Sequence, residues 1–217
     1  MPDSQPGSLT EQAEVAVRDG IISGRYEPGF RLRERELSVD LGVSRVPVRE
    51  ALRNLEFQGF VTIQPRRGAV VREMSAQDVE ELFDLRTALE PLAAGTAARR
   101  YREGQPHDGF DHAMERALDA TASADPQAIL LANSEFHTEL VRATRHQMIT
   151  DSMAPVLART RWLFAQTADR SAEIQCHEHQ QIYDSIRSGQ ERVAAAYMLA
   201  HVESGRQPSL DVIADQR

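Results

Sequence analysis

The sequence predicts a mainly α-helical protein in two parts. Short helices and one β-hairpin occupy the N-terminal third, and an all-α helical bundle follows. Three observations carry this reading. Apolar residues recur at helical spacing along most of the 217 residues, with β-prone runs confined to 60–71. Gly- and Pro-centred breaks cut the chain after Ser75 into pieces of helix length. Charge also divides the chain: Arg31 to Arg72 holds nine arginines against five acids, while the stretch from Ser75 carries the whole net charge of −8. A basic segment joined to an acidic body implies two domains with different partners. The boundaries expected are 8–74, 75–205 and a loose tail at 206–217, where no periodicity is evident.

The elements follow in order. Residues 8–24 form a helix with Val15, Val17, Ile21 and Ile22 on its apolar side, stopped by Gly24; Tyr26-Glu27-Pro28-Gly29 is turn chemistry. A short helix runs from Glu34 to Leu41, and Gly42 supplies a tight turn. Ser44 suits the N-cap of the next helix, Arg45 to Gln58, with Pro47 in its first turn and Gly59 at its end. Phe60-Val61-Thr62-Ile63 and Ala69-Val70-Val71 read as strands joined by Pro65-Arg66-Arg67-Gly68. Six helical segments then cover 76–103, 109–122, 126–144, 147–167, 171–188 and 190–205.

Composition narrows the function classes. Hydrophobic residues at 41% and charged residues at 27% are those of an ordinary globular chain, neither disordered nor fibrous. No apolar run approaches the roughly 18 residues that a membrane span needs. The first residues lack a basic start followed by an apolar stretch, so a cytoplasmic protein without membrane association is expected. The single cysteine, Cys176, excludes an internal disulfide framework and a multi-cysteine zinc module.

Two short helices around a Gly turn, followed by a hairpin, describe a winged helix-turn-helix. Leu37, Leu41, Val43, Val48 and Leu52 fall where the two helices pack, which leaves Arg45, Arg49 and Arg53 on the outer side of the second. A helix fits the major groove with its N-terminal residues at the base edges, and arginine pairs bidentately with guanine. Arg66 and Arg67 at the hairpin tip suit phosphate or the minor groove. Pro28-Gly29-Phe30-Arg31-Leu32, Glu36-Leu37, Leu41-Gly42-Val43-Ser44-Arg45, Pro47-Val48-Arg49-Glu50-Ala51-Leu52, Gly59-Phe60-Val61 and Pro65-Arg66-Arg67-Gly68 together resemble the N-terminal domain of GntR-family regulators. The resemblance implies that Arg35, Ser44, Arg45, Arg49 and Gly68 contact a double-stranded DNA operator. Val46 departs from the pattern, since many members carry a hydroxyl residue there.

In the helical part, Ile129, Asn133, Phe136, His137, Leu140 and Thr144 share one face, so Asn133 and His137 point inward one turn apart. His179 lies in line with Ile182 and Ile186. His201 follows Tyr197 on a face with Ala194. His179 and His201 stand about equally far from the turn at Gly189, so an antiparallel hairpin brings the two imidazoles to one height. Hydrogen-bonded core histidines, a metal site for zinc or nickel, and a metal-free anion pocket all suit this set. Leu82, Arg86, Leu89 and Ala93 share another face, so a guanidinium points at the core. Its partner is either an internal acid such as Glu90 or the carboxylate of a ligand. Trp162, Tyr183 and Tyr197 are expected to fill the core.

Phe83-Asp84-Leu85-Arg86 with Glu90, Phe136-His137, Glu178-His179 with Ile182 and Ile186, and His201 resemble the FCD effector domain of the FadR-type subfamily, over about 76–205. The resemblance implies a helical bundle that holds a divalent metal through one Asp and three His, here Asn133, His137, His179 and His201. It further implies a small-molecule carboxylate effector on Arg86 and a homodimer. Asn133 stands where Asp is usual, and His146 where Asn is usual. A neutral amide weakens metal binding but leaves the ion its full positive charge for an anionic ligand. The expected function is a ligand-responsive DNA-binding regulator, acting as a repressor and not as an enzyme. A mononuclear metal-dependent helical enzyme is the alternative, but none of the seven His follows a Glu by three residues, and no P-loop, nucleotide-binding glycine pattern or nucleophile elbow is present.

Overall fold

The computed structural model describes residues 7–64, 68–167 and 171–215, and the chain divides into two compact units, Met1–Glu73 and Met74–Arg217. In the first unit α1 (Leu9–Ile22) is capped by Ser8, whose hydroxyl accepts from Glu11 N. It packs on α3 (Arg45–Phe57), and the shorter α2 (Glu34–Asp40) packs on α3 as well. Val17, Ile21, Leu37, Val48, Leu52 and Leu55 are buried between these helices. Gly42 sits between α2 and α3 with φ +65°, a left-handed backbone that suits glycine. Ser44 occupies the N-cap position of α3, but its side chain makes no capping hydrogen bond. That leaves the hydroxyl available at the helix entrance.

The hairpin forms from β2 (Val61–Gln64) and β3 (Gly68–Val71), paired antiparallel with Val61 opposite Val71 and Gln64 opposite Gly68. A third strand, β1 (Arg31–Leu32), pairs with the other edge of β3 through Arg31 opposite Val70. The sequence reading omits β1, because two residues carry no periodicity and the strand exists only through its distant partner. Arg66 and Arg67 lie outside the described residues.

The second unit is all-helical: α4 (Ala76–Arg102), α5 (Asp108–Ser123), α6 (Pro126–Ala143), α7 (Gln147–Gln166), α8 (Ala172–Arg187) and α9 (Glu191–Asp215). Local chemistry explains the starts. Ser75 and Asp78 form a capping box on α4; Asp125 caps α6 with Pro126 at its first position; Ser171 caps α8. The α4 helix packs against α6, α7, α8 and α9, and its buried face carries Val79, Leu82, Phe83, Arg86, Glu90 and Ala93. The turn from α8 to α9 closes at Gly189, with φ +69°; a Cβ there would meet the Arg102 Cβ at 2.7 Å. This close approach holds the α8–α9 hairpin against the end of α4.

Two expectations need correction. The loose tail at 206–217 is instead helical as far as Asp215: α9 continues, with Gly205, Ser209 and Ile213 buried at four-residue intervals. Two of these three inner residues, Gly205 and Ser209, are small or polar, so Ile213 alone leaves no apolar periodicity in the sequence. Tyr197 is 40% exposed and does not share the inner face, which is formed by Ala194, Met198, His201 and Val202. Trp162 does fill the core, and Tyr183 is half-buried with its hydroxyl donating to Asp111 at 3.0 Å.

Candidate functional site

In the N-terminal unit α3 presents Arg45, Arg49 and Arg53 to solvent, as its periodicity requires once Val48, Ala51, Leu52 and Leu55 are buried. Arg35 is exposed on α2. The arginines are not bare. Arg49 donates from Nε and Nη2 to the two oxygens of Glu34, at 2.9 and 2.8 Å, and Arg45 reaches the same carboxylate at 3.5 Å. Arg53 pairs with Glu50 at 3.1 Å. The Arg49 guanidinium, hydrogen-bonded to Glu34, holds that carboxyl below its ordinary value. Gly68 opens β3 with φ +80°, and a Cβ there would stand 3.4 Å from the Leu32 carbonyl. The surface is therefore a set of outward cations held by acids of the same unit.

The helical unit encloses a polar cluster. His137 on α6, His179 on α8 and His201 on α9 are all buried, and one ligating atom from each lies within 4.8 Å of the others. The α8–α9 hairpin sets the His179 and His201 rings 4.7 Å apart, as equal distances from the turn require. His179 stacks flat on Phe136 at 4.0 Å, which fixes its plane. His137 Nδ1 lies 2.7 Å from Glu90 Oε2, and His201 Nδ1 lies 2.7 Å from Glu178 Oε2. Carboxylates on both Nδ1 atoms turn the Nε2 atoms of His137 and His201 toward each other, 3.3 Å apart. Metal-binding imidazoles are backed by carboxylates in this manner. Two nitrogens bound tetrahedrally at zinc distances stand roughly 3.3 Å apart, so the donor set fits a divalent cation.

Asn133 is 9% exposed, one turn before His137, and walls both the cleft that His179 lines and the cleft that Arg86 and His201 line. His146 stands apart as the N-cap of α7, its Nδ1 accepting from Ile149 N. Arg86 is 1% exposed and donates from Nε to Glu90 Oε1 at 2.7 Å. Its guanidinium carbon lies 5.0 Å from the Phe83 ring centre and 5.2 Å from that of Phe164. Its Nη1 is buried and has no hydrogen-bond partner among the described residues. Burial alone would raise the pKa of Glu90, but Arg86 and His137 beside it outweigh burial and hold it well below the usual carboxylate range.

The structure thus brings together His137, His179, His201, Asn133 and Arg86, and adds three residues that the motif reading left without a role. Glu178 stands in the Glu178-His179 pattern, but its partner is 23 positions away, so nothing local gives it a role. Gln175, which walls the same clefts as Asn133, lies one turn before His179, so its position was legible in the helix period. Glu34 reaches its partner across 15 positions, and nothing local marks it.

The comparisons with known proteins agree with the two-part organisation of the chain. Residues 9–71 match the bacterial regulatory proteins of the gntR family, and residues 81–204 match the FCD domain. The Nta operon transcriptional regulator of Aminobacter aminovorans is 30% identical over 193 residues, spanning 88% of this chain and 90% of its own. The probable D-xylose utilization operon transcriptional repressor of Paenarthrobacter nicotinovorans is 28% identical, with 86% and 84% covered. Among solved structures, a GntR protein of Rhodococcus sp. RHA1 aligns with a TM-score of 0.76 at 25% identity, over 97% of this chain and all of that one. E. coli McbR/YncC has a TM-score of 0.79 at 20% identity, covering 97% and 99%, which is a likeness of fold. With a winged helix that displays arginines and a helical domain built around three buried histidines, this chain belongs to the GntR family of regulators, in its FadR-type, FCD-containing branch.

Proposed function

We propose that the protein is a ligand-responsive transcriptional repressor that binds a double-stranded operator and is released by a small organic acid. On this reading α3 enters the major groove. Arg45 and Arg49 face base edges, and Arg35, the Ser44 hydroxyl and the wing residues Arg66, Arg67 and Gly68 hold phosphates. Val46, 66% exposed in the first turn of α3, offers methyl groups where a hydroxyl is more usual, and these suit a thymine methyl.

The observation that carries the sensing half is the pairing of the buried histidine cluster with the unsatisfied Nη1 of Arg86. His137, His179 and His201, with the Asn133 amide oxygen, would hold a divalent cation such as zinc or nickel. The cation supplies positive charge for an anionic ligand. Glu90 and Glu178 orient two of the imidazoles, and Arg86 offers a guanidinium edge to a carboxylate. Effector control requires different affinity for the DNA-competent and DNA-incompetent states. A homodimer reading a near-palindrome suits this role. Support comes from exposed apolar side chains on the adjacent helices α4 and α9, namely Leu85, Leu92, Val193 and Leu199, which a second copy would cover.

The test is a gel-shift titration against duplexes selected from a random library by the full chain, repeated with carboxylates and with a chelator. Tight, salt-dependent binding weakened by an acid is expected. Absence of salt-dependent duplex binding would overturn the regulator reading for this chain.

A further inference from the structure

The polar cluster opens onto a chamber of different character. Mainly apolar residues, among them Ile129, Leu130, Phe164 and Pro208, line a cavity of about 200 Å³, with Thr167 and Ser209 also in its wall. Asn133 and Gln175 wall this chamber as well as both inner clefts, the one beside His179 and the one beside Arg86 and His201. Phe164 is shared by the two regions, since its ring lies over Arg86 and also lines the chamber. The space is unevenly shared. The inner cleft beside His179 holds only about 10 Å³, and the one beside Arg86 and His201 about 0 Å³. The volume for a ligand therefore lies at the apolar end.

Charge leads the same way. Arg86 has its Nε on Glu90 and its buried Nη1 without a hydrogen-bond partner among the described residues, which suits one carboxylate. No described residue lining the chamber is charged, and a second carboxylate placed there would lose its water without gaining a cation. An apolar group placed there gains by leaving water, by an amount that grows with each carbon buried.

We infer that the effector is a monocarboxylate with an apolar body, aryl or branched alkyl, and that di- and tricarboxylates are poor ligands. The carboxylate lies at the Arg86 and histidine end, with the Asn133 and Gln175 amides beside it, and the body fills the chamber between α6, α7, α8 and α9. This rests on the reading that the helical unit senses an acid, and adds which acids it selects.

The experiment is calorimetric titration of the full chain, loaded with zinc, with acetate, hexanoate, phenylacetate, phenylacetamide, succinate and citrate. Hexanoate or phenylacetate should bind at least about tenfold more tightly than acetate, succinate or citrate. Phenylacetamide, which keeps the body and loses the charge, should bind at least about tenfold more weakly than phenylacetate. Leu130→Trp narrows the chamber from α6 at a partly exposed residue that lines neither inner cleft. It should weaken phenylacetate about tenfold and leave acetate within about twofold. If succinate or citrate binds most tightly, the apolar-body inference is wrong while acid sensing stands. If the apolar acids win but Leu130→Trp weakens none of them, the chamber is not where the body sits and the inference falls. If no acid binds, acid sensing and the inference fall together.

Discussion

Glu90→Gln is the perturbation that separates a working polar cluster from an incidental one. Glu90 is 1% exposed and links two elements, accepting from Arg86 Nε at 2.7 Å while its other oxygen lies 2.7 Å from His137 Nδ1. Glutamine keeps the shape but removes the charge and replaces one acceptor oxygen with a donor. Either Arg86 or His137 then faces an N–H group with no water to relieve it. Removing one partner of a buried ion pair costs about 3–5 kcal/mol, and the amide retains one acceptor, which places the expected loss near the lower bound of about 3 kcal/mol. In a chain of this size each kcal/mol moves the melting temperature by about 2–4 °C, so Tm should fall by roughly 6–12 °C. The double variant Arg86→Met, Glu90→Met removes both charges together. It should lose less than the single variant, because no uncompensated guanidinium remains. Thermal melts followed by circular dichroism at neutral pH read both. A fall under about 2 °C for Glu90→Gln, or a double variant less stable than the single, would refute the linkage drawn between Arg86, Glu90 and His137.

Four further outcomes follow from the same geometry. Because Arg86 and His137 hold the Glu90 carboxyl below its ordinary value of 4.5, its stabilisation is full above that pH and is lost as pH falls toward the lower folded value. The stability gap between wild type and Glu90→Gln, measured by denaturant titration, should therefore hold steady at neutral pH and narrow below about pH 4.5; a gap that widened in acid would contradict the assignment. Arg49→Ala should weaken operator binding about 5- to 100-fold and reduce its salt dependence, and unchanged affinity in a gel-shift titration would remove Arg49 from the reading face. Glu34→Gln frees Arg45 and Arg49 from their shared acid, so binding to random duplex should strengthen a few-fold while the ratio of operator to random binding falls; an unchanged ratio would show that Glu34 does not shape recognition. His179→Ala should lower zinc or nickel affinity at least about tenfold in a metal titration and leave effector-free operator binding within about twofold, whereas undiminished metal uptake would make the cluster structural.

Much of this was legible in the sequence, and the reason is local. The winged helix follows from the Gly turn at 42, the helix start at Ser44 and the two short β-prone runs, all decided within a few residues. The inward placement of Asn133, His137, His179 and His201 follows from the helix period, and the meeting of His179 with His201 follows from their distances to Gly189. Arg86 on a core-facing stripe was readable for the same reason, and Glu90, one turn later, was among its candidate partners.

Tertiary structure decided which of these groups meet. The strand β1 exists because Arg31 finds Val70 across 39 positions, and no two-residue segment announces that. The helix α9 runs on to Asp215 because Gly205, Ser209 and Ile213 find a packing surface, although one apolar residue among small and polar ones leaves no periodicity in the chain. Glu90 reaches His137 and Glu178 reaches His201 only once α4, α6, α8 and α9 are in register. The sequence by itself determined which side of each helix is apolar and which polar residues are carried inward, since the period of the backbone sets both. Which carboxylate orients which imidazole, which acid restrains which arginine, and where an apolar chamber adjoins a polar cluster depend on contacts between elements far apart in the chain, and those are set by packing.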